Sequence, residues 1–403
     1  MSELFSQGII GQLKLENRMI RTASHEGLAD RHGAPTQEQY HFYRAFVEGG
    51  IGLIITGYAG IMQNGKSSLY HMTMIDNDEL ISAHREMVGK IHGIAGKIVC
   101  QIAHCGRQTL SEATGEAVLL APSSIPNRFF KEVPRELAQK EIKDIIGQFA
   151  AAAKRVRKAG YDGVQIHGAH GYLLSTFLSR RSNKRKDRWG GSAENRFRIV
   201  AETLKAVREE VGKNFPVLIK LNSFERGNDG IKPAECVDFA RMVEKTGCCD
   251  AVEISAGSNE DSFYMARGSF PTEGILKYLR PYCKMGKIGK GFIRHVVAPI
   301  NSYLKPPFKE GYNLETAAKV KQAISLPVIA VGGMRSKAFM ESAVREGKTD
   351  FVSLARPLIL EPDLANKFMK NESESAKCDN CNICFVATDT APIRCHKDEF
   401  ISS

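Results

Sequence analysis

The chain has 403 residues, 43% hydrophobic and 25% charged, enough apolar side chains to bury a large core without disulfides or a folding partner. Its 56 Lys and Arg against 45 Asp and Glu leave a charge of +11, yet the basic residues are dispersed rather than gathered on one module, which argues against a nucleic-acid partner. No run of about 18 apolar residues and no charged-then-apolar leader occurs, so a soluble, cytoplasmic protein without a membrane partner is expected. Ten cysteines in such a protein point to thiols or metal ligands rather than disulfides.

Residues 4–15 read as a short apolar hairpin around Gly8 and Gly11, suited to capping one end of a barrel. Residues 17–24 (NRMIRTAS) read as strand one, with Ala23 and Ser24 at its end and His25 in the loop beyond. A helix over 36–48, N-capped by Thr36 and stopped by Gly49 and Gly50, leads to strand two at 52–56, which Gly57 and Tyr58 end. After a helix over 78–95 comes strand three at 97–102 (KIVCQI), running into His104, Gly106 and Arg107. Residues 111–134 are polar, turn-rich and long for a loop, the mark of a functional surface.

A strong helix over 137–159 precedes strand four at 163–166, which runs straight into His167, His170 and Tyr172. A helix over 193–211 is followed by strand five, PVLIKL, whose Lys220 is a cation in an apolar run and needs an anionic partner if buried. The helix over 233–246 leads to strand six at 250–254. Residues 258–311 then read as a long irregular insertion, with Tyr264, Arg267, Phe270, Tyr278, Tyr282 and Phe292 scattered through it, fit for a lid or a substrate-shaping segment. A helix over 314–324, strand seven at 327–331, a helix from Ser336 and strand eight at 350–354 complete the alternation. The reading is α/β: a (β/α)8 TIM barrel over 1–370 with an N-terminal hairpin cap, a long insertion after strand six, and a Cys-rich tail over 371–403.

Active sites of such barrels lie at the carboxyl ends of the strands, where these motifs sit. His167 and His170 can donate two N–H groups to a carbonyl oxygen that gains charge during reaction, and Tyr172 can supply a proton. A zinc pair and two satisfied core histidines are the competing readings. Gly332 and Gly333 after strand seven, with Ala355 and Arg356 after strand eight, make a phosphate site from backbone N–H groups, helix dipoles and a guanidinium. No G-x-G-x-x-G occurs, so no Rossmann domain is expected. In the tail, Cys378, Cys381, Cys384 and Cys395 have metal-ligand spacing.

The block H-G-A-H-G-Y-L at 167–173, followed at 179–198 by S-R-R-S-N-K-R-K-D-R-W-G-G-S-A-E-N-R-F-R, resembles the signature of the old yellow enzyme family. The likeness is to the branch with 2,4-dienoyl-CoA reductase and trimethylamine dehydrogenase, although Trp189 stands where that family has Tyr. Q-I-A-H-C-G-R at 101–107 matches a second motif of the family. The resemblance implies a barrel binding FMN, with NAD(P)H as reductant. Ala23, Ser24 and His25 would meet the flavin ring, Gly57 and Tyr58 would belong to the same wall, and Gln101 would bond the pyrimidine edge. Lys220 would stand beside N1 and O2, and Gly332, Gly333, Ala355 and Arg356 would hold the phosphate. His167 and His170 would bind the substrate's activating group, with Tyr172 as proton donor.

The activity implied is hydride transfer from NAD(P)H through FMN to the C=C bond of an α,β-unsaturated carbonyl or an enoyl or dienoyl thioester. In that branch a similar cysteine run holds a [4Fe–4S] cluster. Those relatives continue into further nucleotide-binding domains whereas this chain stops at Ser403, which makes an external electron carrier the expected partner of such a cluster. A structural zinc and unliganded thiols are the other readings of the tail. Two alternatives stand beside the reductase: a dehydrogenase or demethylase passing electrons through the cluster to a carrier, and a non-enzymatic barrel with a zinc-binding tail. A homo-oligomer is compatible with either.

Overall fold

A computed structural model of the chain describes residues 3–400, and of residues 262–264 the backbone alone. Tyr264 therefore lies, by its side chain, outside the described residues. Eight parallel strands close into a barrel: β1 (Met19–Arg21), β2 (Leu53–Ile55), β3 (Ile98–Ala103), β4 (Gly163–Gly168), β5 (Val217–Asn222), β6 (Ala251–Ser255), β7 (Val328–Val331) and β8 (Phe351–Leu354). Each pairs with its sequence neighbour, and β8 pairs with β1 to seal the ring. Every strand follows an apolar run because both of its faces are covered, one by the barrel interior and one by helices.

The outer helices are α1 (Gln37–Glu48), α2 (Ile81–His92), α3 (Gln139–Lys158), α4 (Ala193–Val211), α5 (Pro233–Lys245), α6 (Leu314–Ala323), α7 (Lys337–Arg345) and α8 (Leu364–Met369). Their starts obey local chemistry: the Thr36 hydroxyl accepts from the Gln39 N–H, that of Ser192 accepts from the Asn195 N–H, and Pro233 opens α5 where a missing N–H does no harm. The N-terminal hairpin pairs Gly8–Ile10 with Leu13–Leu15 and turns at Gly11, whose φ of +57° suits glycine. Its Ile10, Leu13 and Leu15 pack with Val99, Leu218, Ile329 and Phe351 and plug the amino-terminal end of the barrel, leaving the carboxyl end to function.

The insertion between β6 and α6 is more ordered than its sequence implies. It carries short helices at Thr272–Tyr278 and Arg280–Cys283, then a continuous helical run through Lys287–Phe292, a π-turn at Ile293–Val297, and Ala298–Leu304. The tail folds back over the barrel mouth. Its helix Ile383–Ala387 packs on Thr272–Tyr278, the Ile393 N–H donates to the Glu26 carbonyl at 2.7 Å, and Asn382 Nδ2 donates to the carbonyls of Ala266 and Ser269, both at 2.9 Å.

At the mouth, the chain leaving β1 is pinned by a buried ion pair, Arg21 to Glu26 at 3.3 Å. Glu26 also accepts from the Tyr43 hydroxyl at 2.5 Å, from Gln39 Nε2 at 3.0 Å and from the Gly57 N–H at 2.9 Å. One carboxylate thereby ties the β1 loop to α1 and to the end of β2. Removing it in Glu26→Ala strands a buried guanidinium and should cost about 3–5 kcal/mol of unfolding free energy by chemical denaturation, against about 0–1 kcal/mol for Arg44→Ala at the exposed Arg44–Glu48 pair. Equal losses in the two variants would contradict this role.

Candidate active site at the barrel mouth

A cavity of about 300 Å³ opens at the carboxyl ends of the strands. Ala23, Ser24, His25, Tyr58, Gln101, His167, His170, Tyr172, Lys220, Gly332, Gly333, Ala355 and Arg356 all line it. Gly57 does not: its N–H is spent on Glu26, so it acts on the wall from behind.

The floor is a chain of buried polar groups inside the barrel. Lys220 Nζ lies 3.2 Å from Glu253 Oε2 and donates to the Thr22 hydroxyl at 2.9 Å, so the anion that its burial requires is Glu253. Glu253 in turn accepts from Thr22 at 2.5 Å, Ser353 at 2.8 Å and Gln165 Nε2 at 2.8 Å. Gln165 Oε1 takes a bond from Gln101 Nε2 at 2.6 Å, which orients that amide in the wall. Burial pulls the Lys220 ammonium below its ordinary pKa while Glu253 pushes it back up. Glu253, Gln165, Thr22 and Ser353 escaped the reading of the sequence. The signal for Glu253 was present, a carboxylate inside the apolar run AVEIS, by the same reasoning that singled out Lys220.

The two imidazoles meet edge to face, with ring centroids 5.1 Å apart, and the Tyr172 ring lies 4.6 Å from that of His167. His167 Nδ1 accepts from the Ala169 N–H at 3.3 Å, so Nε2 carries the proton. His170 Nε2 is 2.7 Å from the Ser255 hydroxyl, which leaves Nδ1 for a ligand. His170 has a φ of +62°, a costly conformation for a residue with a side chain, held by its N–H bond to Asn222 Oδ1 at 3.1 Å and by its carbonyl, which accepts from the Asn259 N–H at 3.0 Å. Burial, assisted by the Lys220 charge, lowers His167 well below its usual range and His170 to about 3. Both are neutral donors at physiological pH. No third His, Cys, Asp or Glu joins them in a metal-holding group among the described residues.

Burial raises the Tyr172 pKa well above its usual value, as does the neighbouring Tyr58 hydroxyl, which is hydrogen-bonded to it; a bond to Asn259 acts the other way. Tyr172 is a protonated acid in the resting site. His25 sits opposite, its Nε2 2.6 Å from the Tyr70 carbonyl and its ring 5.4 Å from Tyr58; desolvation lowers it to about 4.

At the other end, Gly332 and Gly333 have φ values of +128° and +75°, which bring bare backbone to the cavity. Among the described residues no acceptor meets the N–H of Gly333 or of Ala355. Arg356 stands beside them, its guanidinium oriented by the Arg267 carbonyl at 2.9 Å and by Asn382 Oδ1. Free N–H groups, a guanidinium and an oriented amide fit a phosphate at one end and a polar heterocycle at the other, which is the donor set FMN requires.

Of the four tail cysteines, Cys384 lines the cavity and the other three do not. They share one neighbourhood: burial, and the charges of Cys378, Cys381 and Cys395, raise the Cys384 thiol to about 12, with Arg356 opposing. Among the described residues no three His, Cys, Asp or Glu side chains are placed to close on a single ion.

Residues 3–267 and 282–374 match the NADH:flavin oxidoreductase / NADH oxidase family. A metal reductase of Desulforamulus reducens is 34% identical over 95% of this chain, which spans only 51% of that protein. An NADPH dehydrogenase of Clostridium acetobutylicum is 32% identical over 95% of this chain and 97% of its own length. A 2-naphthoyl-CoA reductase complex superposes with a TM-score of 0.80 at 24% identity, covering 96% of this chain and 56% of that one, a likeness of fold alone. The chain therefore belongs to the NADH:flavin oxidoreductase / NADH oxidase family, that of the old yellow enzymes, whose members are flavin-dependent NAD(P)H oxidoreductases.

Proposed function

We propose that the protein reduces the C=C bond of an α,β-unsaturated carbonyl or acyl thioester at the expense of NAD(P)H. The observation that carries this reading is the convergence of two neutral imidazoles and a protonated phenol on one apolar-walled cavity. Gln101, Lys220, Gly332, Gly333, Ala355 and Arg356 would hold FMN, which would take hydride from NAD(P)H and pass it to the substrate. The protein supplies the rest. His167 Nε2–H and the Nδ1 of His170 bind the substrate's carbonyl oxygen and stabilise the charge that reaches it when the β-carbon is reduced. Being neutral, they withhold the full proton, so the enolate persists until its α-carbon takes one from the Tyr172 hydroxyl. The Lys220 ammonium, held by Thr22 and Glu253, would set a fixed positive charge beside the reduced ring. Phe129, Phe130 and Leu279 shield the mouth from water and suit a substrate with an apolar body.

The tail is read as the site of an iron–sulfur cluster on Cys378, Cys381, Cys384 and Cys395. What supports it is the donor set: four thiols in one neighbourhood, with C-x2-C-x2-C spacing. A cluster takes one thiolate per iron and does not need the four sulfurs to converge on a single ion. The reading of the chain as a non-enzymatic barrel gives way to its family membership.

Tyr172→Phe removes the acid and leaves the rings packed. Reduction of an unsaturated substrate should slow by about 10²–10⁴-fold, while reduction of the bound flavin by NAD(P)H in a stopped-flow experiment stays nearly unchanged. Equal loss in both half-reactions would remove Tyr172 from the role. For the tail, anaerobically purified protein should contain about four irons per chain with matching sulfide, and Cys381→Ser should lose them while retaining flavin. Stoichiometric zinc, or thiols that titrate freely with no metal present, would overturn the cluster.

A further inference from the structure

The helical run from Lys287 to Leu304 presents a stripe of large apolar side chains to solvent. Ile288 is 92% exposed, Phe292 57%, Val296 41%, Ile300 53% and Tyr303 88%. The first four recur at intervals of four, which in a regular α-helix drifts around the axis. The π-turn at Ile293–Val297 widens one turn and cancels that drift, so the four stay in line. The opposite side is fixed to the body of the protein through the buried Ile293 and Ala298. Nothing in the barrel needs the outward stripe, and exposing this many large apolar groups in one row is costly unless something covers them.

The charge around the stripe indicates what covers it. Residues 274–309 contain no Asp or Glu and eight Lys or Arg. Three of those are answered by acids outside the stretch: Lys277 by Glu399, Arg280 by Asp389 and Arg294 by Glu273. Lys284, Lys287, Lys290, Lys305 and Lys309 are in no ion pair among the described residues. A helix fixed along one face, apolar outward and flanked by free lysines, has the composition of helices that lie in the plane of an anionic bilayer. A second copy of the chain is the poorer occupant, because a two-fold interface would set this lysine-rich face against the same face of its partner, with no Asp or Glu within 274–309 to answer it.

We infer that this insertion helix docks the protein onto an anionic lipid surface. It lies on the membrane and does not cross it, which accords with no helix of the described residues being long and apolar enough to span one. The expectation that a membrane partner is absent rested on the lack of a spanning run, and a surface helix needs none. The helix is tied to the segment that lines the cavity: Arg294 pairs with Glu273 at 2.7 Å, and Ile275 and Leu279 beyond Glu273 line the cavity.

Co-sedimentation of the whole, flavin-loaded protein with lipid vesicles tests this. With about one third phosphatidylglycerol in phosphatidylcholine, binding at low salt should exceed that to phosphatidylcholine alone by at least tenfold, and should weaken as salt is raised. Each Lys→Gln replacement at positions 284, 287 and 290 should lower the partition coefficient about fivefold. Ile288→Glu combined with Phe292→Glu should abolish binding while the flavin spectrum and reductase activity persist, because both residues are exposed and neither lines the cavity. Equal binding to both vesicle types, or undiminished binding by the double variant, would overturn the inference. So would the absence of vesicle binding together with a wild-type dimer that the double variant converts to monomer, which would give the face to a second copy.

Discussion

The active site rests on one buried charge pair, Lys220 with Glu253, 3.2 Å apart inside the barrel. A lone ammonium there would be expelled or deprotonated; a lone carboxylate would be protonated. Together they hold, because Glu253 also accepts from Thr22, Ser353 and Gln165 beside Lys220. The pair spans neighbouring strands at one register step, Lys220 opposite Glu253 in the parallel ladder. Through Gln165 it fixes Gln101 two strands away, and through its field it helps to keep His167 and His170 neutral. A cation thus stands in the floor of the cavity, an oriented amide in its wall and two neutral donors above, arranged before any ligand arrives.

Much of this was legible in the sequence because barrels write their periodicity plainly. Eight apolar runs, each closed by Gly, His or a polar turn, mark the strands to within a few residues, and the glycine end of strand seven and the arginine end of strand eight are the expected phosphate-binding corner, both lining the cavity. The family resemblance named the flavin and substrate residues, and all of them except Gly57 line the cavity. That residue marks what a linear reading cannot resolve. It sits at a strand end like its neighbours, but its N–H faces away toward Glu26, and which face a loop backbone presents depends on long-range partners. The polar belt was hidden for the same reason, since Gln165 and Thr22 gain meaning only from the strands beside them.

The insertion reads as irregular because Gly286, Gly289, Gly291 and Pro299 break helical propensity, yet the run from Lys287 to Leu304 is helical with only Ile293 and Ala298 buried. The tail illustrates the opposite case. Its cysteine spacing is explicit in the sequence, while the structure adds only that the four thiols are neighbours and that one of them reaches the cavity. Insertion and tail are locked together, Lys277 and Tyr278 with Glu399 and Arg280 with Asp389, so the roof over the site is a single unit built from two distant stretches of chain.

The central claim is that the barrel mouth is a flavin site that accepts electrons from a nicotinamide nucleotide. An anaerobic titration of the flavin-free protein with FMN, followed by NADH or NADPH, tests it most directly. The account predicts saturation at one FMN per chain and bleaching of the flavin absorbance by at least one of the two nucleotides. Failure to bind FMN, or a bound flavin that stays oxidised with both nucleotides, would contradict it.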